Sequence, residues 1–453
     1  MSIKELVQLK KIAIGVGVGL FVFAISLTLF NTTQSSLLGV IALLVVLWTN
    51  EGLPLAVVSL LPIILFPAFS IIDTNTTALN YSNPIIYLFL GGFMIAIAVE
   101  KTNLHTFIAD KILDIFPNTP RGMIFSLTIT SGLLSSILSN TTTSLLLMSI
   151  ALFITKDMRL KLRFALAIAY GASVGGIITP IGTPPNLILL GIMSDKGMET
   201  IPFFQWIWMV VPLAFLMFIV VSFLLSLGLE NSSIKREAKE LHLTKPQKKV
   251  LYIIGGLIVL LLLNAPMNPL WGGLGLSEAG LLLAAGLILF MPPFNILEWM
   301  DDKAQIPYRI MFLFGAGFSI AKAFGDTGLA SEVASYLVAM TELSPIVLLF
   351  AIAMLITFTT EITSNTALIS IMLPVIYSVA EQTGINTTLF MMVATICASY
   401  AFMLPIATPP NAIAMSSGAV DVKSMMKYGL VLNLVGVLMI VMIAEFFWKG
   451  ILS

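Results

Sequence analysis

The chain has 453 residues, of which 58% are hydrophobic and only 10% are charged, and its 23 Lys and Arg residues balance its 23 Asp and Glu residues. Soluble domains carry about 25% charged residues, so this composition excludes a water-soluble protein and predicts a polytopic membrane protein. The zero net charge argues against nucleic-acid binding, and the single cysteine, Cys397, excludes an internal disulfide and a cysteine metal cluster.

Apolar stretches that could span a bilayer recur along the chain. We predict spans over 11–30, 36–49, 53–72, 84–99, 202–228, 250–264, 275–292, 307–325 and 427–448. Lysines precede the first span and no small-residue cleavage site follows it, which predicts a retained span with a cytoplasmic N-terminus. Residues 102–118 are amphipathic, so we expect them to lie along the membrane interface with His105 in water on the polar face.

The apolar stretches 122–138 and 141–155 are short and are separated only by a Ser-Asn junction. A break at that depth is tolerable only if it is buried in protein or lines a cavity. Basic residues flank the pair, with Arg121 before it and Lys156 after it, and positive flanks mark the cytoplasmic side. We therefore predict a re-entrant hairpin over 122–155, although two full crossings would give the same flanking charges.

A second pair of apolar stretches, 344–363 and 366–380, also has a polar break. No Lys or Arg lies between 326 and 386, which predicts a hairpin over 344–380 that enters from outside. The layout is then an all-α membrane protein with about eleven spans, two re-entrant hairpins and an external C-terminus. It divides into scaffold spans 1–120, transport elements 121–230, a cytoplasmic linker 231–249, scaffold spans 250–343 and transport elements 344–453.

An internal repeat links the two halves. Ser139-Asn140-Thr141 recurs as Ser364-Asn365-Thr366, an offset of 225 residues (364 − 139). The heptapeptide 180–186, which contains Thr-Pro-Pro-Asn, recurs at 405–411 with the same offset and one change, Gly182 against Ala407. Several separate matches in one register indicate a duplicated unit, and the opposite flanking charges predict inverted topology. Inverted repeats with interrupted helices are typical of secondary transporters.

The repeated residues favour ion and anion binding. Paired prolines remove backbone donors and disfavour helix at the preceding Thr, which predicts broken helices over 164–193 and 387–416 with free carbonyls at the breaks. Hydroxyl and amide oxygens suit Na⁺ as ligands. The hydroxyl O–H and amide N–H₂ groups can donate hydrogen bonds to carboxylates. No Arg lies near either motif in sequence, so we expect neutral dipoles and bound cations to hold an anion. Glu361 could face a cavity or outside water, and we assign it no role.

With these motifs, the hairpins and the span layout, nearly the whole chain resembles the divalent anion–sodium symporter family, which includes the sodium–dicarboxylate cotransporters. The resemblance implies one sodium site at Ser135, Ser139, Asn140 and Gly182 and a second at Thr360, Ser364, Asn365 and Ala407. It implies that substrate carboxylates meet Asn140, Thr141, Asn365 and Thr366, with Thr183, Pro184, Thr408 and Pro409 lining the site. It also implies a homodimer and an elevator mechanism.

The sequence features predict a multi-pass protein of the cell membrane, in contact with lipid. The resemblance implies that it moves succinate-like dicarboxylates or tricarboxylates with Na⁺ as the coupling ion and no other cofactor. A sodium-independent exchanger remains an alternative, because the same oxygen ligands serve both. An ion channel would also fit the hairpins. A membrane enzyme would need a nucleophile–base pair or a metal cluster, and the sequence has neither pattern.

Overall fold

The computed structural model describes residues 3–229, 242–265, 271–338 and 344–452. The predicted all-α fold is confirmed in these residues. The first half contains α1 (Ile3–Ser26), α2 (Thr32–Asn50), α3 (Leu55–Ala68), α4 (Thr74–Asn80), α5 (Pro84–Lys101), α6 (Leu104–Leu113), α7 (Pro120–Ser135), α8 (Asn140–Ile154), α9 (Met158–Gly176), α10 (Pro184–Asp195) and α11 (Phe203–Ser226).

The second half begins after residues 230–241, which lie outside the described part. These residues include most of the predicted linker 231–249. It contains α12 (Lys245–Asn264), α13 (Glu278–Ile288), α14 (Trp299–Asp302), α15 (Tyr308–Asp326), α16 (Leu329–Val338), α17 (Pro345–Thr360), α18 (Asn365–Thr383), α19 (Thr387–Ser399), α20 (Pro409–Ser416) and α21 (Val422–Ile443). A short 3₁₀ turn, Lys303–Gln305, follows α14, and a π-helical turn, Ala444–Trp448, extends α21.

Within the described residues, seven helices are long and apolar enough to cross a bilayer. They are Glu5–Ser26, Thr32–Asn50, Thr74–Lys101, Phe203–Ser226, Lys245–Asn264, Asn365–Thr383 and Val422–Trp448. Two predicted spans are shorter as helices: α3 has 14 residues and α13 has 11. Prolines account for part of this shortening. Pro54 disfavours helix at the residue before it, at the start of α3, and Pro292 limits how far α13 can extend at its end. The total of eleven spans stays a prediction.

The amphipathic segment forms α6, but the expectation for its histidine was wrong. His105 is only 8% exposed, and its Nδ1 lies 3.1 Å from the carbonyl oxygen of Val99 at the end of α5. The ring is therefore held inside the protein by a main-chain partner. The sequence misplaced it because α6 turns back onto α5 at Asn103, whose positive φ of 54° permits a sharp change of direction.

The four predicted interruptions are all present. Four residues, 136–139, separate α7 from α8, and four, 361–364, separate α17 from α18. We call these pairs the first and second helix pairs. The broken helices are α9–α10, interrupted at 177–183, and α19–α20, interrupted at 400–408. Whether each pair is re-entrant stays a prediction, and α18 is one of the seven helices that are long enough to span.

The short helices after the prolines exchange partners between the halves. In the first half, α10 packs against α18 and α19 of the second half, and α20 of the second half packs against α8 and α9 of the first. The last helix of each repeat therefore packs against helices of the other repeat. This crosswise packing brings the Ser-Asn-Thr and Thr-Pro-Pro-Asn motifs of both copies to one place.

Glycines allow the close contact between α7 and α9, which is the most extensive helix contact in the described chain. A Cβ on Gly175 would lie 2.0 Å from the carbonyl oxygen of Gly132, and one on Gly171 would lie 2.4 Å from that of Thr128. No side chain fits at these distances. The two helices therefore pack backbone against backbone, as small residues permit in membrane helices.

Candidate functional site

One cavity of about 390 Å³ is lined by the polar breaks of both repeats. From the first copy it is lined by Ser139, Asn140, Thr141, Gly182, Thr183 and Pro184, and from the second by Ser364, Asn365, Thr366, Ala407, Thr408 and Pro409. Of the residues that the sequence predicted for the site, only Ser135 and Thr360 are not among its lining. The volume is within the range of small-molecule sites.

Helix starts present the Ser-Asn-Thr residues to the cavity. Ser139 caps α8, where its Oγ accepts a 3.0 Å hydrogen bond from the backbone N–H of Thr142. Ser364 caps α18 in the same way by accepting from Ala367, at 3.5 Å. A serine before a helix is a preferred cap because it satisfies a free backbone donor. Each following Asn is therefore fixed at the first position of a helix, beside the break.

Ser135 and Thr360 lie directly behind the two asparagines. The hydroxyl of Ser135 donates to Asn140 Oδ1 at 2.5 Å, and Thr360 Oγ1 lies 2.7 Å from Asn365 Oδ1. Thr360 Oγ1 also lies 2.8 Å from the carbonyl oxygen of Ala398. One hydroxyl proton can serve only one of these two acceptors. Three oxygens with a single proton are a donor set that suits a hard cation such as Na⁺.

Each Thr-Pro-Pro-Asn break contains an equivalent pair of hydrogen bonds from its Asn side chain. The Asn186 side-chain amide donates to the carbonyls of Gly176 and Thr179, at 3.4 and 2.9 Å. The Asn411 amide donates to Ala401 and Leu404, both at 3.0 Å and both 225 residues further along (401 − 176, 404 − 179). Each Asn thus ties the helix after its prolines to the carbonyls freed before them. The sequence identified this Asn as part of the repeat but did not predict its role.

The single difference within the heptapeptide has a steric cause. A Cβ on Gly182 would lie 2.4 Å from the carbonyl oxygen of Gly176, so the first break has no room for alanine. In the second copy α19 ends earlier in register than α9, and Ala407 fits with 8% of its surface exposed. The two breaks are therefore equivalent in sequence but not identical in backbone course.

Glu361, which the sequence left open between a cavity and outside water, is buried with 3% exposure. Its carboxylate accepts hydrogen bonds from the backbone N–H groups of Phe402, Met403 and Leu404 at 2.8–2.9 Å. These donors belong to the break of α19–α20. Glu361 therefore stabilises the second break from the turn of the second helix pair, a long-range contact with no signature in the local sequence.

No arginine lies near the motifs in sequence, but the fold brings one to their cavity. Arg309, in the first turn of α15, lines the same cavity. Apolar residues that the sequence did not assign to the site also line it, among them Leu55, Phe89, Gly92, Phe93, Ile310 and Leu313. No local pattern marks Arg309, because the fold and not the sequence spacing brings the start of α15 to the motifs.

Comparisons with known proteins agree along most of the chain. Residues 43–394 match a family model described as "Citrate transporter". The sodium-dependent dicarboxylate transporter SdcS of Staphylococcus saprophyticus is 30% identical, over 97% of this chain and 92% of its own length. The protein of the same name from Staphylococcus aureus strain MRSA252 is 30% identical over 90% of this chain and 84% of its own length.

Solved structures show a related fold at low sequence identity. The YdaH transporter of Alcanivorax borkumensis superposes with a TM-score of 0.61 at 17% identity, covering 83% of this chain and 88% of that protein. MtrF of Neisseria gonorrhoeae gives a TM-score of 0.59 at 14% identity, covering 82% and 83%. At these identities the likeness describes the fold alone.

Proposed function

This chain belongs to the divalent anion–sodium symporter family, a family of membrane carriers and not of enzymes, and from that premise we propose that it transports succinate-like C4 dicarboxylates together with sodium ions. Tricarboxylates such as citrate are the next candidates, since the matching family model is described as a citrate transporter. Na⁺ is the coupling ion, and the proposal requires no other cofactor.

The observation that carries this proposal is a cavity lined by both Ser-Asn-Thr motifs. Its described lining contains no carboxylate side chain, so an anion entering it meets no fixed negative charge. Asn140, Thr141, Asn365 and Thr366 provide N–H and O–H donors for the substrate carboxylates, and Thr183, Pro184, Thr408 and Pro409 shape the walls.

The oxygens beside the two asparagines would hold the cations. The first set is Ser135, Ser139, Asn140 and the backbone carbonyl of Gly182, and the second is Thr360, Ser364, Asn365 and the carbonyl of Ala407. The close approach of Thr360 Oγ1 to two other oxygens supports a cation there. Moving a bare dianion through hydrocarbon is prohibitive, so cations that neutralise it make the passage feasible.

The crosswise packing supports a mechanism of alternating access. We propose that the two helix pairs and broken helices carry the site across the membrane as an elevator, while the scaffold segments 1–120 and 250–343 form a homodimer in the lipid bilayer. The N-terminus would lie in the cytoplasm and the C-terminus outside. The contacts of α10 with α18 and of α20 with α8 support one moving unit, because neither broken helix packs only within its own half.

Uptake of labelled succinate into proteoliposomes tests the function. We expect saturable, concentrative uptake under an inward Na⁺ gradient and its loss when K⁺ replaces Na⁺. Uptake that requires internal dicarboxylate and ignores sodium would identify an exchanger instead. Single-channel currents would identify a channel, and absence of any flux of succinate, citrate or sulfate would refute the proposal.

A further inference from the structure

Arg309 is the only charged side chain among the described residues that line the cavity. It lies at the second position of α15, and Ile310 and Leu313, one and four residues further on, line the cavity as well. Residues four apart share a helix face, so one face at the start of α15 is directed to the site. The arginine remains exposed to solvent, and an incoming ligand can reach it.

Neither ion pairing nor helix stability explains this arginine. Across the described residues, its guanidinium forms no hydrogen bond and no salt bridge, whereas Lys322 at the other end of α15 pairs with Asp326 at 3.0 Å. A cation in the first turn also opposes the helix dipole, which favours anions at that end. A free guanidinium therefore adjoins a cavity that otherwise presents only neutral donors.

The site is asymmetric because of this residue. The two Ser-Asn-Thr motifs offer the same chemistry on both sides, so they cannot distinguish the two ends of a substrate. The position equivalent to Arg309 in the first repeat is Pro84 (309 − 225), which has no donor. In the described lining, the fixed positive charge therefore comes from the second half alone.

We propose that Arg309 is a specificity-determining residue, which binds one of the two substrate carboxylates together with the neutral donors of the Ser-Asn-Thr motifs. This inference rests on the proposed function, since it assumes a substrate with at least two carboxylates. The planar guanidinium can donate two parallel hydrogen bonds to one carboxylate, which a lysine cannot match. Arg309 thereby selects dicarboxylates over anions that carry a carboxylate at one end only.

Succinate and its half-amide, succinamate, provide the test because they differ at one end only, where a neutral amide replaces a carboxylate. Their dissociation constants would be measured by calorimetry on the purified full-length protein in Na⁺ buffer. We expect Arg309→Gln to weaken succinate binding about tenfold, as for loss of one charge-assisted contact, and to leave succinamate binding within about twofold. Arg309→Lys should be intermediate for succinate.

Lys322→Gln is the matched control, since it removes one positive charge from the same helix away from the cavity. It should change neither dissociation constant. Arg309→Gln would overturn the assignment if it weakened the binding of both ligands equally, or if it did not weaken succinate binding. Unchanged unfolding temperatures would exclude misfolding as the cause of weaker binding. Sodium-driven uptake by the wild type is measured separately. Succinate binding without transport would refute the proposed function, and the role of Arg309 would still be decided by the dissociation constants of succinate and succinamate.

Discussion

Asn433 on α21 donates a hydrogen bond from its side-chain amide to Oε1 of Glu361, at 2.6 Å, and both residues are buried. The same carboxylate oxygen accepts from the backbone N–H groups of Phe402 and Met403, and the other accepts from Leu404. One carboxylate therefore joins the turn of the second helix pair, the second break and α21. The first repeat has Ser136 at the equivalent position, whose hydroxyl bonds only locally to Leu133.

Replacing Glu361 by Gln should destabilise the protein. In the wild type, backbone N–H groups donate to both carboxylate oxygens of Glu361. In the variant, the NH₂ group of Gln would face one of these donors, so at least one charge-assisted hydrogen bond is lost. This loss costs about 1.5–3 kcal/mol. We expect a clearly lower unfolding temperature in detergent. Ser136→Ala, at the equivalent position, should have a much smaller effect. Equal effects of the two substitutions would contradict the distinct role of Glu361.

Asn140→Ala and Asn365→Ala should each reduce succinate uptake to below about a tenth of the wild-type rate, because each removes an amide that serves both cation and carboxylate. Proteoliposomes at saturating Na⁺ provide the measurement, with size-exclusion elution to confirm assembly. Asn80→Ala is the control, since Asn80 lies outside the cavity and bonds only to Thr76 of its own helix. Wild-type uptake by both cavity variants would refute the site.

Much of this site was predictable because its determinants are local. Paired prolines must interrupt a helix wherever they occur, and a serine before an apolar run is a helix cap in any fold. The repeated register of 225 residues then identified Asn140 with Asn365 without any coordinates. The breaks, the caps and the polar residues beside them all follow from such short-range rules.

The remaining features depend on contacts that sequence spacing does not encode. Arg309 reaches the motifs only because α15 packs against α10 and α18, which belong to different halves. Glu361 is buried only because the second break folds over its carboxylate. His105 was placed in water because its helix is amphipathic, yet α6 turns this residue towards α5. In each case tertiary packing, not residue type, decides the environment.

Sodium affinity should depend on the hydroxyls behind the two asparagines. Ser135→Ala and Thr360→Val each remove one oxygen from a proposed cation site, so we expect the Na⁺ concentration for half-maximal uptake to rise about fivefold. The exchanges Ser135→Thr and Thr360→Ser keep the hydroxyl and should retain near-normal sodium dependence. A loss of maximal rate with unchanged sodium dependence in the first two variants would argue against cation ligation by these oxygens.

The contact between α7 and α9 should tolerate no side chain at Gly175. Its Cβ would lie 2.0 Å from the Gly132 carbonyl oxygen, so Gly175→Ala must push the helices apart, at a cost of about 1–3 kcal/mol. We expect a lower unfolding temperature and, because α8 follows α7 into the cavity, weaker succinate binding. Gly256→Ala in α12 is the control, since nothing lies within 4 Å of its added Cβ and alanine favours helix. If Gly175→Ala were as stable as Gly256→Ala, the backbone contact between the two helices would not be what holds the first helix pair in place.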